Sequence, residues 1–82
     1  MDIKEKQKFM RMLKKYKSVA LFSKSLGRIC SYHYDRIYTL ASDSHNIGLF
    51  SNVKYIGMIN IENVESYEYN SKTGYLNVFL SN

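Results

Sequence analysis

The side chains in this sequence best placed to do chemistry together are cations. Lys4, Lys8, Arg11 and Lys15 recur at helical spacing, which at ~100° per residue gathers them within a sector about 60° wide, and Lys14 lies on its flank. A row of ammonium and guanidinium groups on one face neutralises a polyanion. It either displaces counterions from a phosphate backbone or docks in an acidic groove of a protein. The row is nearly all lysine, a point charge, with one arginine, so phosphate positioning is expected rather than sequence readout. It also lacks an acidic complement. Glu interleaved with Lys four residues away stabilises a solvated helix by a few tenths of a kcal/mol per pair, and like charges cost about as much. A lysine-rich solvent face is the competing explanation, but the missing carboxylates point to an external anion.

Catalytic chemistry finds little support. The sequence contains no G-x-G-x-x-G, no P-loop and no H-E-x-x-H, and Gly27, Gly48, Gly57 and Gly74 are scattered one per turn or strand. Cys30 and His33, three apart on one strand, should face opposite ways and so fail as nucleophile and base. Asp35, Asp43 and His45 read as solvated turn residues rather than metal ligands, and Glu62, Glu65 and Glu68 as surface charge rather than an acid–base pair. A lone cysteine makes neither an internal disulfide nor a thiolate zinc cluster. The expectation is a non-enzymatic protein with no cofactor, no metal and no small-molecule substrate.

Eight tyrosines in 82 residues are the second candidate surface. Tyr32, Tyr34, Tyr67, Tyr69 and Tyr75 are candidates for a phenolic patch on a sheet, because tyrosine combines a large contact area with a polar tip at interfaces and base-stacking platforms. Half-buried packing in a thin core is the other use of the same residues. Tyr67 and Tyr69 join Lys4, Lys8, Arg11, Lys14 and Lys15 as the expected contact residues.

The elements that must position these groups follow from charge and periodicity. Residues 1–28 carry nine cations against two carboxylates, and the rest of the chain three against five, so a basic front end precedes a mildly acidic body. Phe9, Met12, Leu13, Tyr16 and Ala20 form one apolar stripe, which predicts an amphipathic basic helix over residues 2–22. Asp2 is the expected N-cap, with Glu5 as its capping-box partner. The end is less well signalled: residues 19–22 suit helix or strand, with a break at 23–27.

Beyond Gly27 the helical period vanishes and β-branched and aromatic runs alternate with turn chemistry. About five strands are expected among 28–34, 36–41, 47–50, 53–59, 64–69 and 75–80, of which 47–50 is short for pairing, with a polar turn at 42–46. The last two form a hairpin in which Gly74 takes the left-handed bulge position. Leu76, Val78 and Leu80 should face the core. Residues 53–59 look apolar on both faces and hence central, with Gly57 marking a bulge or a close backbone approach. The predicted fold class is α+β, an N-terminal amphipathic helix packed on a small antiparallel sheet of three to five strands ending in a β-hairpin.

At 82 residues there is room for one domain, and 45% hydrophobic residues are enough to collapse it. A chain this short buries only roughly 60 to 65% of its unfolded surface, which favours binding over a closed active site. The opening residues lack the apolar run of a signal peptide, and no segment approaches the ~20 apolar residues of a membrane span, so a cytoplasmic location is expected. Codon-biased composition, rich in Lys, Asn, Ile and Tyr, suggests a low-GC bacterium or one of its mobile elements.

Three functions fit. The first is a contact module for nucleic acid or nucleoprotein. The second is a phage- or mobile-element-encoded inhibitor or adaptor, docking like an anti-CRISPR on an acidic groove of a host protein such as a defence nuclease. The third is a peripheral membrane module or homodimer, in which Tyr16 and Ala20 are poor groups for insertion.

Overall fold

The computed structural model describes residues 1–40 and 43–81. It is an α+β fold. Helix α1 (Ile3–Tyr16) is followed by seven strands: β1 (Ser18–Ser23), β2 (Gly27–His33), β3 (Arg36–Leu40), β4 (Asp43–Ser51), β5 (Lys54–Asn60), β6 (Val64–Asn70) and β7 (Tyr75–Leu80). They form two sheets, one of four strands in the order β2-β1-β7-β6 and one of three in the order β3-β4-β5. A single short 3-10 turn, Ile61–Asn63, leads from the second sheet back to the first.

The helix starts as its sequence implies. Asp2 accepts the Glu5 backbone N–H at 2.8 Å, which satisfies one orphan donor of the first turn. Glu5 carries its carboxylate elsewhere, accepting the Tyr67 hydroxyl at 2.9 Å. The helix ends six residues short of the expected boundary. Lys17 turns left-handed (φ 57°) and its N–H closes on the Leu13 carbonyl, and residues 18–23 continue as β1. Packing decides this. As a strand between β2 and β7, Val19, Ala20 and Leu21 are all buried, and a short apolar run buried on both faces has no period by which sequence could separate it from helix.

The four-stranded sheet is mixed rather than purely antiparallel. β1 and β7, the first and last strands, lie parallel with Val19 opposite Leu76 and Leu21 opposite Val78, whereas β1–β2 and β6–β7 are antiparallel. The predicted hairpin is present. Gly74 has φ 79°, its N–H reaches the Asn70 carbonyl at 2.8 Å, and Leu76 and Val78 are fully buried.

The three-stranded sheet is an antiparallel meander and differs from expectation in three places. β4 begins at Asp43, where a polar turn was expected, and is the central strand; Ala41 and Ser42 lie outside the described residues. β5, expected to be central, is an edge strand. Val53 belongs to the turn, not to the strand. Asn52 (φ 53°) and Val53 (φ 60°) form a two-residue hairpin loop of the type that requires two left-handed residues.

One core joins all layers. Phe9 and Leu13 from α1 meet Val19, Leu21, Leu76 and Val78 from one sheet and Ile47, Leu49 and Ile59 from the other. Tyr34, between β2 and β3, ties the sheets to the helix: its hydroxyl donates to the Leu13 carbonyl at 2.7 Å and its N–H to that of Lys17 at 3.1 Å. Burial holds its phenol above the ordinary value of about 10. Gly57 does mark a close approach, since a Cβ there would stand 2.6 Å from the Tyr32 ring.

Candidate nucleic-acid interface

Packing Phe9 and Leu13 inward turns the opposite side of α1 to solvent. Lys4, Lys8, Arg11, Lys14 and Lys15 are all exposed there. Four of the carboxylates that could neutralise them are engaged elsewhere, while Glu68 is exposed on β6. Asp2 caps the helix, Glu5 holds Tyr67, Glu65 pairs with Lys24 at 2.9 Å, and Glu62 pairs with His45 at 2.7 Å. Among the described residues no ion pair reaches Lys4, Lys8, Arg11 or Lys14, while the Lys15 ammonium sits 5.3 Å from the Tyr16 ring centroid.

Tyr67 and Tyr69 turn toward the helix. The Tyr67 ring lies 4.8 Å from Phe9, and Tyr69 stacks on Tyr16 at 3.7 Å with the ring planes 8° apart. Burial, then donation to Glu5, pushes the Tyr67 phenol up to about 12. Both rings thus fasten the helix to β6 beside the cationic ridge. The wider phenolic patch is dispersed. Tyr34 is buried, Tyr32 covers Gly57, and Tyr75 lies on the opposite side of the four-stranded sheet from the core-facing Leu76 and Val78.

That outer side carries a cluster the sequence does not announce. His33 Nδ1 meets the Ser18 hydroxyl at 2.8 Å, and its Nε2 meets the Tyr75 hydroxyl at 2.8 Å. The Arg28 guanidinium lies 5.1 Å from the centroid of the same tyrosine. Both hydroxyls can donate or accept, so the imidazole is satisfied in either tautomer. The arrangement orders a surface. Cys30, as expected, lies away from His33, packed against the core.

Asp35 and His45 have separate partners. Asp35 accepts the Asn52 N–H at 3.0 Å, His45 pairs with Glu62, and the side chain of Asp43 lies outside those described. Among the described residues no three His, Cys, Asp or Glu side chains converge as metal ligands, and no helix is long and apolar enough to cross a membrane.

A second surface, missed in the sequence, lies on the outer face of the three-stranded sheet. There Tyr38, Phe50, Tyr55 and Met58 wall a hollow over Gly48. Its signal was the run 53–59, apolar on both faces, which reflects this outer face rather than a central position. No protein-family model matches the chain, and no curated protein or solved structure is similar to it.

Proposed function

We propose that this protein is a non-enzymatic binding module whose N-terminal helix contacts the phosphate backbone of a nucleic acid or nucleoprotein complex through Lys4, Lys8, Arg11, Lys14 and Lys15. The observation that carries the reading is the absence of any intramolecular ion pair for the ridge among the described residues, while Asp2, Glu5, Glu62 and Glu65 hold other groups. Five phosphates neutralised would release about four to five counterions and set a log–log salt slope near −4 on duplex DNA. The ridge is rigid. Its helix is held at one flank by Tyr67 and Tyr69, and its buried Phe9 and Leu13 prevent rotation about the axis. A cytoplasmic location goes with this function.

The test is reversal of Lys4, Lys8, Arg11 and Lys15 to Glu, followed by oligonucleotide binding across a salt series. None of the four side chains is buried, so circular dichroism should show the fold retained while binding is lost. Retained binding by the reversed protein would refute the site. An unmodified protein that ignores nucleic acid but binds an acidic polypeptide would move the same ridge to the role of inhibitor or adaptor on an acidic host protein.

A further inference from the structure

The outer face of the three-stranded sheet has the makings of a ligand site. Its hollow encloses about 370 Å3 and is lined by Tyr38, Asn46, Gly48, Phe50, Tyr55 and Met58, a volume at the small end of ligand pockets. Strand alternation, with a β-bulge at Ile56 where the pairing passes from Gly57 to Tyr55, explains the walls. Ile47, Leu49 and Ile59 point into the core, so Gly48 and Phe50, with their partners Met58 and Tyr55, point outward. Gly48 has no side chain, and the Phe50 ring leans into the space this leaves: a Cβ there would stand 3.0 Å from that ring. Phe50 is flanked edge-on by Tyr38 at 5.1 Å and Tyr55 at 5.7 Å. Tyr38, Tyr55 and Met58 remain 51%, 55% and 49% exposed. Contiguous apolar surface of this kind on a small domain marks a binding site.

Charge selects the occupant. Arg36, two residues from Tyr38 on the same strand, donates from Nη1 to the Tyr38 hydroxyl at 3.4 Å. Lys14 of the helical ridge lines an adjoining hollow together with Arg36 and Tyr38. Asp35 shares that hollow, its Oδ2 accepting the Asn52 N–H, so two cations face one carboxylate there. Cations therefore run from α1 to the rim of an aromatic slot, the combination with which proteins hold single strands: positive charge along the backbone and rings against the bases. A cationic peptide is repelled by such a rim.

We propose that the slot formed by Tyr38, Phe50, Tyr55 and Met58 receives an unpaired nucleobase, with Arg36 and Lys14 on the adjoining phosphates. This rests on the ridge reading above and narrows its ligand to a single strand. The experiment compares a labelled oligothymidylate, an abasic oligomer of equal length and charge, and a duplex, at fixed low salt. The expected result is a preference of about tenfold for the base-bearing single strand, abolished by Tyr55→Ala or Met58→Ala and kept by Tyr55→Phe, with the salt slope unchanged. Both positions are exposed, and circular dichroism confirms the fold. Equal affinity for the abasic oligomer, or indifference to Tyr55→Ala, overturns the slot while leaving the ridge reading in place. Failure to bind any of the three overturns both. Binding of a proline-rich peptide in place of the oligomers, sensitive to Tyr55→Ala, also overturns the nucleobase assignment.

Discussion

The two sheets draw on similar residues and use them in opposite ways. On the outer face of the four-stranded sheet, polar and aromatic groups find each other: Ser18 and Tyr75 bracket His33, Arg28 lies over Tyr75, and Phe22 stacks on Phe79 at 5.2 Å. On the outer face of the three-stranded sheet, the Phe50 ring leans over Gly48 on the central strand, and Tyr38, Tyr55 and Met58 stand around a hollow that none of them fills. The first face keeps a smaller hollow of about 270 Å3 beside Phe22 and Phe79, but the Lys24 at its rim is paired with Glu65. The second is left incomplete, and incompleteness at an aromatic surface beside unpaired cations is what a binding site requires. The sheets differ in connectivity as well. The four-stranded one is sealed by pairing the two ends of the chain, β1 with β7, while the three-stranded one is assembled from sequence neighbours.

That contrast can be broken first at the seal. Leu76 is fully buried on β7 opposite Val19, so Leu76→Ala should cost about 2 to 5 kcal/mol, enough to unfold much of a domain this small, in urea titration. A cost under about 1 kcal/mol would mean that the parallel pairing contributes little to stability.

The next test addresses the joint between the sheets. Tyr34→Phe removes the hydroxyl that reaches the Leu13 carbonyl and should cost about 1 to 2 kcal/mol at neutral pH. The pH dependence carries a definite sign. The buried Tyr34 phenol is raised in the folded state, so the unfolded chain loses this proton first, at about pH 10. Its stabilising contribution is whole below pH 10 and is lost as pH rises beyond it. Tyr67, raised to about 12 by burial and its bond to Glu5, adds to the same decline between pH 10 and 12. Thermal melts of Tyr34→Phe should therefore fall less steeply above pH 10 than those of the parent; an identical slope would show that Tyr34 is not protected.

The smallest effect sharpens the view of the meander as a locally built unit. Val53 is β-branched, 91% exposed and left-handed in the β4–β5 loop. Val53→Gly relieves the conformational cost and should stabilise the protein by about 1 kcal/mol, measured as a higher melting temperature. Destabilisation would show that Val53 makes a contribution its exposure conceals.

Local signals in the chain were largely legible. The Asp2 cap, the Phe9 and Leu13 stripe, the Gly74 hairpin and the inward face of Leu76 and Val78 each depend on residues close in sequence, where spacing translates into geometry through the helical or strand period. The exposure of Lys4, Lys8, Arg11, Lys14 and Lys15 was legible for the same reason. The end of the helix was not, because residues 19–22 suit a helix by propensity and become a strand through partners on β2 and on β7, more than fifty residues away. Tyr67 and Tyr69 were placed on the right strand but without their partners. Whether a phenol on a strand is a platform or a fastener depends on what lies above it, and here that is Phe9, Tyr16 and Glu5.

Sequence alone determined the class of the fold and where its charge is held, since both follow from local periodicity and composition. Tertiary structure decided which aromatic rings remain available. Strand pairing is non-local, and it set Tyr38, Phe50 and Tyr55 around a bare glycine while turning Tyr32, Tyr34 and Tyr67 toward interior partners.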